Sequence, residues 1–215
     1  MLTKRVADVA IVVLSIATLV TMVSAARRRF ARAERPEGPA VRSVSNWRDY
    51  LGGHKLAIGQ PDAQAVIVEF GDFQCPFCAR FAHVLDTVAT RVPGGFQVYF
   101  RHFPIPSHMY AHSAAVASEC AAEQGHFDEF YQLAYKSGNT LPVLITDEPR
   151  RLPDPHAFSV CMKSLAPQRR ITADSLAAVR LGVTGTPGVL VGSTFITGVP
   201  SAKTLVEVLS SEKWR

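Results

Sequence analysis

The sequence lacks a second cysteine pair to match the one it has. Cys75 and Cys78 form its single C-x-x-C; the other two of its four cysteines, Cys120 and Cys161, stand alone and far apart. No histidine pair stands at finger spacing either. A structural zinc takes four ligands in closely spaced pairs, so the pattern opposes a zinc knuckle and favours redox chemistry. The chain also lacks internal repeats, which excludes a solenoid or propeller array. Its body lacks net charge. Of the +5 formal charge, all is accounted for by residues 1–45, where eight Lys and Arg face Asp8, Glu34 and Glu37; the remaining 15 basic and 15 acidic residues cancel. The alkaline pI of about 9.2 therefore belongs to the tail, and the folded part gives no support to nucleic-acid binding.

What is present begins with Val9 to Ala26, 18 residues without a charge. As a helix they span roughly 27 Å, near the thickness of a bilayer core. Two readings stay open: a signal peptide cleaved after Val23-Ser24-Ala25, or an uncleaved anchor. Arg27, Arg28, Arg29, Arg32 and Arg35 follow the segment, and by the positive-inside rule they oppose export of what comes next. A cysteine-dependent enzyme is more useful where disulfides persist. The expectation is an anchor over 1–26, a charged, proline-bearing linker over 27–46, and one domain over 47–215 outside the cytoplasm, with secretion after cleavage as the alternative.

The domain is organised around Ala65 to Val92. An apolar, β-branched run to Phe70 reads as a buried strand, and Gly71-Asp72 breaks it. From Pro76 onward Phe77, Phe81, Val84, Leu85 and Val88 recur at helical spacing. Proline suits a first helical position, where its missing amide hydrogen would have no partner. The two cysteines thus stand where a helix begins, and there unpaired amides and the helix dipole favour a thiolate, the species that attacks disulfides.

Beyond Pro93-Gly94-Gly95, Phe96 to Phe103 alternates as a second strand. Met109 to Gln124 reads as a small-residue helix, and Phe127 to Ala134 as another, ended by Gly138-Asn139. Four prolines between Leu141 and Pro155 forbid a long regular helix. His156 to Ser164 and Gln168 to Leu181 are again helical. Val189 to Val191 and Thr194 to Thr197, split by Gly192-Ser193, read as a hairpin. Ser201 is placed to cap a last helix carrying Leu205, Val206, Val208 and Leu209. Trp47 to Ile58 gives only a weak signal of a short helix or edge element.

This order, with Cys75-Pro76-Phe77-Cys78 opening the first helix and Thr186-Pro187 before a late hairpin, resembles the thioredoxin superfamily. The nearer likeness is to its DsbA-like branch, on Phe73-Gln74, Arg101-His102-Phe103-Pro104, Glu119-Cys120-Ala121, Phe158 with Cys161, and Gly182 to Pro187. The resemblance covers about 56–212 and implies an α/β thioredoxin-like fold with an inserted helical domain over about 104–181. Two features depart from it: the proline-rich 141–155, and Pro-Phe between the cysteines where the strongly oxidising members carry Pro-His.

The roles follow. Cys75 is the attacking thiolate and Cys78 the resolving thiol. Glu69, six residues before Cys75 on an apolar strand, matches the family's buried acid; burial would raise its pKa and let it pass protons to Cys78. The resemblance implies a cis Thr186-Pro187 bond facing the cysteines, with backbone groups open to an extended substrate, as in strand addition. Pro76 and Phe77 are placed in substrate contact. Two separate cysteines in an exported domain suggest a structural Cys120–Cys161 bridge, with two buried free thiols as the alternative. His102, His108 and His112 have no metal spacing and are read as packing or surface residues.

The leading reading is a membrane-tethered thiol–disulfide oxidoreductase that oxidises cysteine pairs in exported polypeptides. It is served by a membrane redox partner, needs no cofactor or metal, and acts as a monomer. The alternatives are a reductase or isomerase, a Cu(I) metallochaperone using Cys75 and Cys78, and a non-catalytic scaffold, which the intact C-x-x-C opposes.

Overall fold

The computed structural model describes residues 16–25, 40–52, 56–137, 141–212 and 214. The chain divides into two units, 1–38 and 39–215. In the first, residues 16–25 are helical and exposed. The rest of the Val9 to Ala26 segment and linker residues 27–39 lie outside the described residues, as does the expected Gly138-Asn139 stop. Among the described residues no helix is long and apolar enough to cross a membrane.

The second unit is a mixed six-stranded sheet: β1 (Val41–Ser43), β2 (Ala57–Gly59), β3 (Val66–Gly71), β4 (Gln97–His102), β5 (Gly188–Val191) and β6 (Thr194–Thr197), in the order β1-β6-β5-β3-β4-β2. Among the described residues only β3 and β4 run parallel, and the crossover joining them is α1 (Pro76–Ala89). Five helices then intervene before the antiparallel β5-β6 hairpin: α2 (Ala111–Ala122), α3 (Phe127–Ser137), α4 (Leu141–Asp147), α5 (Pro155–Met162) and α6 (Ala166–Leu181). The last helix, α7 (Ala202–Ser211), starts at Ser201, whose Oγ accepts the Thr204 amide at 3.1 Å.

The near-continuous apolar run of β3 has a direct cause: the strand is central and covered on both faces. Ile67 packs into a core with Cys78, Phe81 and Leu85 of α1 and with Phe130 and Tyr131 of α3. Val68 and Phe70 face the opposite core with Ala177, Ala178 and Leu181 of α6 and with Trp47 and Tyr50. Strand alternation puts Glu69 on the same side as Ile67, beneath α1 and α3. Gly71 ends β3 as glycine because a Cβ there would come within 2.4 Å of the Phe100 ring.

The linker boundary needs a correction. Val41–Ser43, assigned to the linker, pair with Thr194–Ile196 as an edge strand. The pairing is long-range and the side chains are exposed, so no periodic apolar signal marks it. Trp47–Tyr50 is a 3₁₀ turn and Ala57–Gly59 an edge strand on β4, so the weak 47–58 signal resolves into both alternatives at once. The proline-rich stretch becomes the short α4, a 3₁₀ turn at Glu148–Arg150, and a fresh helix start at Pro155 capped by Asp154 Oδ1, which accepts the Ala157 amide at 2.8 Å.

Candidate active site

Cys75 is the N-cap of α1 and Pro76 its first residue, so the helix starts at the cysteine pair. Cys75 and Cys78 are both free thiols, 5 % and 0 % exposed. Although nearly buried, Cys75 lines a cleft of about 470 Å³ together with Phe73, Pro76, Tyr110, Tyr135 and Leu141. Phe77 is half exposed beside it, with the Arg80 guanidinium 4.6 Å from its ring centre.

The two thiols differ sharply in acidity. The hydrogen bond from the Cys78 thiol is the largest influence that holds the Cys75 pKa down, to about 5. Burial opposes it, and Thr186 with the amides of Cys78 and Phe77 adds to it. Burial is likewise the first cause that pushes the Cys78 thiol well up, helped by the bond it gives to Cys75 and by Glu69. One sulfur is therefore an anion at neutral pH while its neighbour keeps its proton, the asymmetry a two-step exchange requires.

The Thr186-Pro187 bond is cis, and the β5 strand it precedes brings it to the cysteines. Cys75 Sγ lies 3.4 Å from the Thr186 carbonyl oxygen, to which it can donate only in its protonated form. Pro187 is buried, whereas Pro76 is exposed.

Glu69 is wholly buried. It accepts the Tyr131 hydroxyl on Oε2 at 2.8 Å and the Tyr135 hydroxyl on Oε1 at 3.5 Å. Burial raises its pKa to about 8 against the pull of those two bonds, and the Cys75 charge raises it further. Both tyrosine hydroxyls are pushed well above their ordinary range by burial and by Glu69, so they stay donors.

Sequence reasoning missed three parts of this arrangement. Tyr131, read as part of a short helix over Phe127 to Ala134, and Tyr135, one residue beyond that reading, are four residues apart on α3 and so point to one place; that spacing was the available signal. Asp72, read only as a strand breaker, is fully buried as a side chain. It accepts the Gln74 amide at 2.7 Å on one oxygen, and the Ile105 amide at 2.9 Å and His108 Nδ1 at 2.7 Å on the other. With Gln74 Oε1 accepting the Tyr110 amide at 2.7 Å, it fastens the cysteine loop to the chain leaving β4. No local pattern reports such a clamp.

Cys120 on α2 and Cys161 on α5 are joined by a disulfide across 41 residues. Elsewhere, His102, Glu119 and Asp174 each bring one possible ligand atom within 4.8 Å of the others. Their charge is already met: Arg101 pairs with Asp174 at 2.7 Å, and Arg170 bonds Glu119 and Glu123. Burial works against ionisation of Glu119, but the His102 ring and Arg170 hold its carboxyl below the usual range.

Comparison with known proteins agrees with this geometry. The profile of the family described as Thioredoxin matches residues 52–211. A thioredoxin-like oxidoreductase from Silicibacter pomeroyi DSS-3 superposes with a TM-score of 0.64 at 22 % identity, covering 76 % of this chain and 95 % of that one. Oxidised BdbD from Bacillus subtilis does so at 0.64 and 19 %, covering 81 % and 97 %. The thiol–disulfide exchange protein alpha-DsbA2 from Wolbachia pipientis gives 0.64 and 19 %, covering 77 % and 91 %. By sequence, the chain is 42 % identical over 90 residues to the Na(+)/H(+) antiporter NhaA 1 of Mycobacterium sp. (strain KMS), and 29 % identical over 157 residues to the antiporter NhaA of Herminiimonas arsenicoxydans. These matches take in 41 % and 72 % of this chain but only 14 % and 25 % of those proteins' length. The chain belongs to the thioredoxin family, and its fold is like that of the thiol–disulfide exchange protein alpha-DsbA2 and of BdbD.

Proposed function

We propose that the chain oxidises cysteine pairs in exported polypeptides, working from the membrane through the Cys75–Cys78 disulfide. The observation that carries this is the divergence of the two thiols, with Cys75 near 5 and Cys78 pushed well up. A substrate thiolate attacks Cys75 Sγ, the Cys75–Cys78 bond breaks, and the electron pair leaves on Cys78 Sγ, which takes a proton from Glu69. The second substrate thiolate then attacks its own mixed-disulfide sulfur, and Cys75 departs as the stabilised thiolate. The substrate lies extended in the cleft, bonding the backbone at Thr186-Pro187 and packing on Phe77 and Pro76. The bridge at Cys120–Cys161 supports an extracytoplasmic setting, since such bonds persist there. Val9 to Ala26, uncharged throughout, is the proposed anchor, holding the domain near a membrane partner that reoxidises it.

The roles are tested by trapping. Cys78→Ser removes the resolving thiol and should accumulate substrates as mixed disulfides on non-reducing gels, while Cys75→Ser should accumulate none. A trap seen only with Cys75→Ser reverses the assignment.

A further inference from the structure

Glu69 must give up or take a proton in every turnover of the proposed reaction, yet it has no exposed surface. Aromatic rings pack against the two tyrosines that bond it: Phe73 lies 5.3 Å from the Tyr135 ring and meets Tyr131 edge-on at 6.3 Å between centres. Two hydroxyls reach the carboxylate, and their rings sit differently. Tyr131 is 1 % exposed and gives the shorter bond, 2.8 Å. Tyr135 gives the longer bond, 3.5 Å, and is also among the residues that line the cleft at Cys75, as Tyr131 is not. The pair meets edge-on at 4.7 Å.

We propose that Tyr135 is the proton gate of the active site: its hydroxyl relays protons between buried Glu69 and water in the substrate cleft, while Tyr131 anchors the carboxylate. This rests on the reading that Glu69 serves Cys78. When the Cys75–Cys78 bond breaks, Cys78 Sγ keeps the electron pair and takes the Glu69 proton. The resulting carboxylate takes the Tyr135 proton as that oxygen takes one from cleft water, so charge and protons balance. A longer, weaker bond suits a relay, because the hydroxyl must turn between two partners; a short bond suits an anchor. The titratable groups around the pair are Cys75 and Cys78 at the start of α1, Glu69 on β3, Asp72 just after it and Asp86 further along α1. A substrate seated in the cleft would cover Tyr135, so the relay would work before docking and after release.

The test is hydrogen–deuterium exchange at Glu69, followed by infrared spectroscopy on the full chain in its reduced form. At pH 6, below the Glu69 value of about 8, the carboxyl is protonated and gives a C=O band, identified as the one lost in Glu69→Gln. After mixing into D2O its shift reports arrival of deuterium. Tyr135→Phe keeps the ring and should slow that exchange about tenfold or more. Tyr131→Phe should move the band frequency, because the strong bond is gone, and exchange at the parent rate. Tyr135→His, with a protonatable group in the same place, should recover exchange, and it serves as the second variant if Tyr135→Phe melts early. Parent-rate exchange in Tyr135→Phe overturns the gate, and so does equal slowing in both phenylalanine variants, which would make packing the barrier. If no band at pH 6 is lost in Glu69→Gln, Glu69 holds no proton, and the reading beneath the gate fails instead.

Discussion

Changing pH across the Cys75 titration should change how strongly the disulfide oxidises, and the structure sets the size of that effect. A thiol with an ordinary pKa of 9.0 is almost wholly protonated at pH 7, whereas Cys75 at about 5 is almost wholly thiolate. The two-unit gap between pH 7 and that pKa stabilises the reduced enzyme by about 2.7 kcal/mol, taking 1.36 kcal/mol per unit. For a two-electron couple, where 30 mV is about 1.4 kcal/mol, the disulfide gains roughly 60 mV of oxidising power. The same logic fixes a slope. Below pH 5 reduction takes up two protons and the potential falls by about 59 mV per unit; above it one proton is taken up and the fall is about 30 mV. Equilibration with glutathione buffers from pH 4 to 8, read by alkylation of the free thiols, measures the slope; the 240 nm thiolate absorbance gives the pKa independently. Cys78→Ala, lacking the largest stabilising donor, should show a Cys75 pKa above 5. Phe77 brings neither charge nor side-chain hydrogen bond to the thiolate, so a milder oxidant than the Pro-His proteins is expected. A slope near 59 mV up to pH 8, with a potential at or below thioredoxin's, would mean a reductase and refute the reasoning.

Breaking Cys120–Cys161 by double serine substitution should lower stability by about 4 kcal/mol in the chain-entropy model for its 41-residue separation, read by urea melts. Thiol counting after mild reduction should find two free thiols, Cys75 and Cys78, with the bridge intact. Between pH 4.5 and 8 folded Glu69 holds a proton that the unfolded chain has lost, so its contribution to stability falls as pH rises. Cys75 acts in the opposite sense, its contribution growing from pH 5 to 9. Glu69→Gln should therefore remove the falling contribution and leave that of Cys75, so that the reduced variant gains about 3 kcal/mol between pH 5 and 7 where in the parent the two cancel; a variant whose melt is the same at pH 5 and 8 is the refuting result. If Val9 to Ala26 is an anchor, the protein should fractionate with membranes, retain its N-terminal sequence and be cleaved by external protease. A soluble product starting near Ala26 would show a signal peptide, and a protected membrane-bound domain would place it inside.

Much of this protein was readable from residue order. The strand before Gly71, the helix opened by Pro76 and the hairpin at Gly192-Ser193 all rest on local periods and turn chemistry, which act over a few residues and leave their trace there. The same holds for the Ser201 cap and the cysteine pair at a helix start. Tertiary structure decided what depends on distance along the chain. Val41–Ser43 become a strand only because β6, some 150 residues later, offers its edge. Cys75 is acidic through Cys78, Thr186 and helix amides together, and Thr186 is 111 residues away. Glu69 could be read as an acid on an apolar strand. That it meets Tyr131 and Tyr135, 62 and 66 residues on, followed from α3 packing over β3, and a hydroxyl's role is set by which carboxylate and which cleft it touches.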